Sequence, residues 1–542
     1  MGGRGLSVLV AVCSLVTPSA GQSPRVQSYG FSLSLPDNDD SILRVTAWIN
    51  FEPGSFQQGD TAKLNLVGLT VDRVFERGLN GWELGSRIEF GYDGSLLRVR
   101  LPDPARARGI VVEYHGTPRD GLIIGRDLRG RRVVFGDNWP ERARFWIPTV
   151  DHPSDKGQVA FSIGVPVGSG LRVVANGRWV AGSLNETDHG RQVVTTWQED
   201  SPIPTYTMVL GAAHFAVSNH RPIVHGRDTI PITVWAYPED SAFADSGPFR
   251  RVTEIVETME RLVGPFPYEK LAHVESSTRY GGMENSTAIF YAEKPYVERT
   301  MREGVVRHET SHQWFGDAVT ERDWAHLWLS EGFASYFDLV IGAALDGDSV
   351  LTAGLTRDAR AYFASKVVDR PLVDTAEHDP NNLLNENSYQ KGAWVLHMLR
   401  ESVGDSAFFR GIREYYRVYR DSTARSSDFQ RVMEGAAGRS LDEFFRQWLW
   451  QPGYPRLDVR WRFEAADHRV RLEITQSQPE AWGIFRIPGL EVEAVSAAGV
   501  ATRRVYALDD RTTIAYLELA AAPSVIHVDP DHRLLVQTTV TP

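Results

Sequence analysis

The first half of the chain alternates between hydrophobic and polar residues with the period of two that is typical of β-strands. Residues 42–49, 159–165 and 232–236 are rich in β-branched and aromatic side chains, and clusters of Gly, Pro, Asn and Asp separate such segments. This pattern predicts a large N-terminal domain, built mostly of antiparallel strands, over residues 22–240.

The period changes near residue 246, where hydrophobic residues begin to recur with the spacing of an α-helix. One apolar stripe, with the spacing i, i+3, i+4, i+7 and i+10, consists of Val252, Ile255, Val256, Met259 and Leu262. Residues 241–452 are therefore predicted to form a mainly helical domain.

Strand-like alternation returns after residues 453–455, a Gly-Tyr-Pro sequence that interrupts the helical pattern. Residues 457–461, 470–474 and 525–528 alternate again, which predicts a small C-terminal β-sandwich over residues 453–542. The expected fold class is a multidomain α+β protein.

Composition and charge narrow the class of protein. The chain has 542 residues, of which 42% are hydrophobic and 23% charged, as in ordinary soluble proteins with several domains. Its net charge of -11, without a block of Lys and Arg, is not what a nucleic-acid-binding surface requires. We therefore expect no nucleic-acid partner.

The N-terminus has the features of a secretory signal peptide. Arg4 precedes an apolar run over residues 6–16, and small residues follow up to Gly21. A signal peptide over residues 1–21 predicts export to the periplasm or the extracellular space. Cleavage there removes Cys13, the only cysteine, and no other stretch is long and apolar enough to span a membrane. A buried N-terminal strand and a lipid anchor on Cys13 are the alternatives.

The clearest chemical motif is His308-Glu309-Thr310-Ser311-His312. On a helix, residues four apart share one face, so the two imidazoles can bind one Zn²⁺ while Glu309 reaches a water molecule at the metal. The motif predicts His308 and His312 as metal ligands and Glu309 as a general base. The alternative is a pair of histidines on a helix surface beside an unrelated glutamate.

A catalytic zinc site needs a third protein ligand. Glu331 follows His312 after 18 intervening residues and lies in an apolar segment, where an unpaired carboxylate is costly to bury. Coordination to a cation removes that cost, so Glu331 is the predicted third ligand. Asp338 lies two helical turns further on the same face and either orients a ligand histidine or faces solvent.

Two further segments carry candidate substrate contacts. The first consists of Gly281, Gly282, Met283, Glu284 and Asn285. Its glycines allow close approach to a substrate, and its carboxylate can pair with a free α-ammonium, although a bulged strand would have the same residues. The second segment, residues 389–392, places Tyr389 just before an apolar helix, where a lone tyrosine is most often a packing residue.

In this order along the chain, these elements resemble the gluzincin metallopeptidases and, among them, the M1 aminopeptidases. The resemblance implies a thermolysin-like catalytic domain with one Zn²⁺ per chain and peptide substrates with a free N-terminus. It further implies that residues 281–285 bind the substrate amine. For Tyr389 it implies that the hydroxyl stabilises the oxyanion of the reaction.

The chain departs from the family pattern in two ways. Many relatives hold the substrate amine with the help of an additional Gln or Glu from the N-terminal domain, but Trp139 occupies the corresponding position here. Asp137 or Asn138 as a substitute and Glu284 acting alone remain alternatives. After residue 453 there is room only for a small β domain, so we expect a short form without the C-terminal helical domain of larger relatives.

Other functions remain open from sequence. A thermolysin-like secreted endopeptidase shares the histidine motif and the downstream glutamate, and a non-catalytic peptide-binding protein on the same scaffold is a second alternative. An epoxide hydrolase activity, the side-chain preference, the natural substrate and the oligomeric state are not determined by the sequence.

Overall fold

The computed structural model describes residues 24–35, 42–79, 84–187 and 190–542. The predicted signal peptide, residues 1–21, lies outside the described residues. The described part has an N-terminal region of several sheets, a helical middle region and a C-terminal region of strands, which confirms the predicted α+β class.

The N-terminal region is built of strands. They are β1 (Val26–Ser34), β2 (Leu43–Phe51), β3 (Thr61–Asn65), β4 (Thr70–Gly78), β5 (Leu84–Arg87), β6 (Phe90–Tyr92), β7 (Leu96–Arg100), β8 (Ala107–Gly116), β9 (Leu122–Arg126), β10 (Arg132–Gly136), β11 (Lys156–Pro166), β12 (Arg172–Ala175), β13 (Arg178–Thr187), β14 (Gly190–Pro204) and β15 (Leu210–Ala213).

Within the described ranges, the largest sheet has the strand order β13-β14-β11-β1-β2-β8-β4-β5. All neighbouring strands in it are antiparallel except β1 and β11, which pair in parallel. Alternate side chains such as Phe31, Ile49 and Phe161 face the core, as the period of two predicts. Smaller sheets with the orders β12-β15-β10-β9 and β3-β7-β6 complete the region.

The middle region combines strands and helices. Its strands are β16 (Ala216–Asn219), β17 (Ile223–His225), β18 (Asp228–Ile230), β19 (Ile232–Ala236), β20 (Leu271–Ser276), β21 (Gly282–Met283), β22 (Ala288–Ala292), β23 (Val319–Glu321) and β24 (Ser422–Ala424). Its α-helices are α1 (Ser241–Ser246), α2 (Val252–Leu262), α3 (Glu293–Val297), α4 (Glu303–His312), α5 (Trp328–Asp346), α6 (Ser349–Ala364), α7 (Gly392–Val403), α8 (Asp405–Tyr419), α9 (Ser426–Ala437) and α10 (Asp442–Phe445).

One sheet of the middle region crosses residue 240, the predicted domain boundary. Its order is β16-β19-β20-β22-β21, and β19 pairs in parallel with β20. The domain limits stay predictions, but strands on both sides of that boundary belong to one sheet. Strand β21, which contains Gly282 and Met283, is its edge and pairs antiparallel with β22.

The C-terminal region contains β25 (Arg456–Glu464), β26 (Arg469–Gln476), β27 (Ile487–Val495), β28 (Ala501–Leu508), β29 (Thr512–Glu518), β30 (Val525–Val528) and β31 (Gln537–Thr541). In this part of the chain they form two sheets, β29-β26-β25-β31 and β28-β27-β30. Each sheet buries alternate apolar side chains, such as Leu472 in the first and Val492 in the second. No α-helix of the described residues has both the length and the apolar character needed to cross a bilayer.

Candidate active site

Helices α4 and α5 bring the predicted metal ligands together. His308 and His312 lie one turn apart on α4, and their ring centroids are 4.8 Å from each other. Glu331 lies in the first turn of α5, where its side chain is buried. Apolar residues on both helices, including Val306 and Phe333, are fully buried, so the contact between the helices fixes the relative position of the three side chains.

The three side chains present their ligand atoms at the spacing of a zinc site. Nε2 of His308 and Nε2 of His312 are 3.2 Å apart, and each lies 3.3 Å from Oε2 of Glu331. A tetrahedral Zn²⁺ with bonds of about 2.0–2.1 Å requires ligand atoms about 3.3 Å apart. Among the described residues, His308, His312 and Glu331 are the only such group of three potential ligands. The donor set therefore fits one Zn²⁺.

The turn after α4 orients His312. Its Nδ1 lies 3.1 Å from the carbonyl oxygen of Phe315 and 3.0 Å from Oγ of Ser330. A hydrogen bond from Nδ1 to a carbonyl oxygen leaves Nε2 unprotonated and directed at the metal position. The chain turns at Gly316, where a Cβ would lie 2.4 Å from Ser330 Oγ and φ is +120°. These contacts explain why a glycine follows Phe315.

Glu309 lies beside this group on the same helix. Burial raises the pKa of its carboxyl group to about 7, against the opposing effect of the two histidines. For Glu331, burial raises the pKa, but the His312 and His308 imidazoles outweigh burial and hold it below its usual range. The two neighbouring carboxyl groups therefore differ in proton affinity, which suits Glu331 as an anionic ligand and Glu309 as a group that exchanges a proton.

The glycine-rich segment lies directly against Glu309. A Cβ at Gly282 would be 2.1 Å from Oε1 of Glu309, so only glycine fits there without a shift of the carboxylate. Glu284 is buried, and burial raises the pKa of its carboxyl group, partly offset by His312. The Asn285 side chain is fully buried, and neither its oxygen nor its nitrogen has a hydrogen-bond partner within the described residues. Edge strand β21 thus brings Glu284 into the same electrostatic environment as the metal ligands.

Tyr389 belongs to the same site. It lies in a π-helical turn over residues Asn387–Lys391, just before α7. Its hydroxyl donates a 2.7 Å hydrogen bond to Oε1 of Glu331, and its ring stacks against that of His308 with a centroid distance of 6.0 Å. Tyr389 is therefore a neighbour of two predicted metal ligands as well as a packing residue.

Asp338 contacts a different partner from the one predicted. Its Oδ1 accepts a 2.8 Å hydrogen bond from Nε of Arg307, which also pairs with Glu303 at 2.9 Å. Among the described residues no hydrogen bond joins Asp338 to His308 or His312. Asp338 thus lies on the expected face of α5, but Arg307, the residue before His308, takes its carboxylate.

The two candidates for a second amine anchor are engaged elsewhere. Asp137 accepts hydrogen bonds from Thr278 and Arg279, and the Asn138 amide bonds to Trp146 and Met208. Both side chains are fully buried. The ring of Trp139 packs edge-on against Tyr280 and Trp324, with centroid distances of 5.9 and 5.5 Å. Both candidates are therefore buried and bonded to other groups, whereas Glu284 shares the surroundings of His312.

Three buried polar residues near the site were not found from the sequence. Gln313, Asp317 and Glu321 follow the histidine motif and are almost completely buried. Burial raises the pKa of Asp317 and of Glu321, and the charge of Glu284 adds to the shift in both. Their position soon after His312 in the sequence could have indicated that they lie near the site. A single sequence does not distinguish buried polar residues in a turn from exposed ones.

Comparison with known proteins agrees with this geometry. Residues 250–448, which contain all the predicted catalytic and metal-binding residues, match the Peptidase family M1 domain. The chain is 28% identical over 381 residues to a probable aminopeptidase 2 of Sulfurisphaera tokodaii, a match that covers 68% of this chain and 46% of the relative. It is 26% identical over 467 residues to a leucyl aminopeptidase of Saccharolobus solfataricus, covering 80% and 56% of the two chains.

A third relative is a leucine aminopeptidase 2 of Emericella nidulans, 26% identical over 425 residues, with 73% of this chain and 64% of the relative covered. The chain spans about half the length of the archaeal relatives that it matches. The domain match, these relatives and the order of the site residues agree that residues 250–448 of the chain form a peptidase family M1 domain.

Proposed function

We propose that the chain is a zinc-dependent aminopeptidase that hydrolyses the first peptide bond of peptides with a free N-terminus. One observation carries the proposal. His308, His312 and Glu331 hold three potential ligand atoms at the spacing of a zinc site. Glu309 lies on the same helix as the two histidines, and it adjoins Gly282, which belongs to the segment that carries Glu284. The relatives, whose names describe aminopeptidases, support the same activity.

His308, His312 and Glu331 would hold the zinc ion. When bound there, Zn²⁺ supplies a Lewis acid that polarises the scissile carbonyl group and lowers the pKa of water. Three protein ligands are the number that catalytic zinc sites use.

The side chains of the chain supply the remaining chemistry. Glu309 accepts the proton of the attacking water and delivers it to the leaving amine, a role that suits a carboxyl group with a pKa of about 7. The Tyr389 hydroxyl donates a hydrogen bond to the developing oxyanion. Glu284 accepts hydrogen bonds from the α-ammonium of the substrate, which places the first peptide bond at Glu309 and makes the enzyme an exopeptidase.

Two alternatives differ from this proposal in specific residues. A thermolysin-like endopeptidase needs the histidine motif and Glu331 but has no use for the buried carboxylate of Glu284 directly after β21. A non-catalytic peptide-binding protein has no use for Glu309 or for the three ligands, and all four residues are present. These features favour the aminopeptidase.

Export through the N-terminal segment is a further part of the proposal. It rests on the signal-like pattern of residues 1–21. Cell fractionation and N-terminal sequencing of the purified protein test it, with a mature terminus near residue 22 as the expected result and a cytoplasmic protein that retains Met1 as the contrary one.

The test of the proposed function is Glu309→Gln, which removes the base but none of the ligands. The variant should keep one Zn²⁺ per chain and lose at least about 10²-fold in kcat on an aminoacyl anilide. Wild-type protein that holds zinc but turns over no free-amine substrate would favour the binding-protein alternative instead.

A further inference from the structure

The side-chain amide of Gln313 connects the zinc-ligand helix to the glycine-rich segment. Gln313 follows His312 directly and is fully buried. Its Nε2 donates hydrogen bonds of 2.8 Å to the carbonyl oxygen of Glu284 and to Oδ2 of Asp317, and its Oε1 accepts one of 2.8 Å from the backbone N–H of Thr287. Both amide hydrogens and the amide oxygen are therefore used.

Two of these three bonds hold the backbone at Glu284 and just after it. They go to the main chain at residues 284 and 287, so they fix the position of the backbone that carries the Glu284 carboxylate, whatever the side-chain rotamer. Thr287 has a φ of +64°, which is costly for a β-branched residue and persists only where the surroundings hold it. Two hydrogen bonds hold Thr287 in this conformation. One is the bond to Gln313, and in the other its Oγ1 accepts a 2.6 Å hydrogen bond from Gly177 N–H.

The third bond secures Gln313 itself. Asp317 and Ala318 accept hydrogen bonds through their carbonyl oxygens from Nζ of Lys156 on β11, at 2.7 and 2.9 Å. The Asp317 carboxylate then accepts the bond from Gln313. The Gln313 amide is thus held by Asp317 in the loop after α4, and Lys156 of the N-terminal region holds that loop.

We propose that Gln313 is a positioning residue that sets the distance between the α-ammonium site at Glu284 and the hydrolytic centre at Glu309. This inference rests on the proposed function. An aminopeptidase must hold the substrate amine one residue away from the bond it cuts, and a displacement of about 1 Å costs roughly 10²-fold in rate. Gln313 provides that fixed distance because it follows His312 on the α4 side and bonds to the backbone at Glu284 and at Thr287.

Two inhibitors that differ only in the amine test this role at equilibrium. Leucine hydroxamate offers a zinc-binding group and an α-ammonium, and the hydroxamate of isocaproic acid offers the zinc-binding group alone. The ratio of their inhibition constants therefore measures recognition of the amine separately from zinc binding. For the wild type we expect a ratio of roughly 10 to 150 in favour of leucine hydroxamate.

The informative variants are Gln313→Met, which fills similar space without hydrogen bonds, and Gln313→Glu, which keeps the shape and the acceptor for Thr287 but loses both donors. In both, the ratio should fall at least about fivefold, while zinc content and the inhibition constant of the des-amino compound stay within about threefold of the wild type.

Ser311→Ala is the matched control. Ser311 is equally buried on α4, but its hydroxyl bonds to Arg307, away from the glycine-rich segment, so the ratio should not change.

The outcomes separate this inference from the proposed function. A ratio that stays at the wild-type value in both Gln313 variants overturns the inference, as does an equal weakening of both inhibitors with loss of zinc, which would make Gln313 a support of the metal site. A wild type that binds both hydroxamates equally contradicts amine recognition, and with it the proposed function. Gln313→Glu preserves the test if Gln313→Met does not fold.

Discussion

Gly282 and the carboxylate of Glu309 occupy adjoining space, since a Cβ at Gly282 would lie 2.1 Å from Oε1 and 2.3 Å from the carboxyl carbon of Glu309. Gly282→Ala should therefore displace the general base and lower kcat about 10²-fold with little loss of zinc. Gly435→Ala on α9 is the control, because Gly435 lies outside the site and a Cβ there meets no atom within 4 Å. Steady-state kinetics and metal analysis of both variants check this, and equal activities would contradict the assigned contact.

The assignment of Glu331 as third ligand predicts that Glu331→Ala binds zinc more than about 100-fold more weakly, since two histidines alone do not complete a structural or catalytic zinc site. Zinc titration of the apoprotein measures this. Glu321→Gln is a suitable control, because Glu321 is a similarly buried glutamate of the same region whose oxygens form no hydrogen bond to a ligand histidine. A Glu331→Ala protein with full zinc and full activity would show that the third ligand is another residue.

Tyr389→Phe should lower kcat by about 10²-fold or more with a smaller change in KM, because in the proposed mechanism the hydroxyl donates to the oxyanion rather than binding the substrate. Tyr336→Phe provides the comparison, since Tyr336 is a fully buried tyrosine on α5 whose hydroxyl faces His397. If Tyr389→Phe keeps a near-normal kcat, Tyr389 has only its packing role against His308.

The role of Glu284 predicts a loss that depends on the substrate amine. A charge-assisted pair in a desolvated site contributes about 1.5–3 kcal/mol, so Glu284→Ala should lower kcat/KM on free-amine substrates roughly 10- to 150-fold. Glu284→Gln keeps the shape and loses the charge, and it should be impaired as well. Unchanged kcat/KM in both variants would require a different amine anchor, although Asp137 and Asn138 are already bonded to other groups.

Local periodicity explains why the centre of the site was predictable. Residues four apart on a helix share a face, so His308 and His312 follow from the sequence once the helix is inferred, and a buried glutamate in an apolar segment signals Glu331. Tyr389 was assigned by resemblance, since spacing alone makes it a packing residue. The same periodicity set the β-strand assignments of residues 159–165 and 232–236, which lie within observed strands.

What the sequence did not reveal depends on contacts between residues far apart in the chain. Asp338 lies on the helix face that the sequence predicts, but its carboxylate bonds to Arg307 on the neighbouring helix instead of to a ligand histidine. Asn138 was an open candidate because its partner Met208 lies 70 residues away. The pairing of β19 with β20, which extends one sheet across residue 240, likewise follows from tertiary packing rather than from the local pattern.

The most direct test of the central claim is to identify the products that the zinc-loaded wild type releases from a peptide and from its N-acetylated twin, by mass spectrometry over time. The account predicts stepwise removal of single residues from the N-terminus of the free peptide and an intact acetylated peptide, because Glu284 needs a free α-ammonium. Internal cleavage of the acetylated peptide at a comparable rate would contradict the aminopeptidase assignment and identify an endopeptidase.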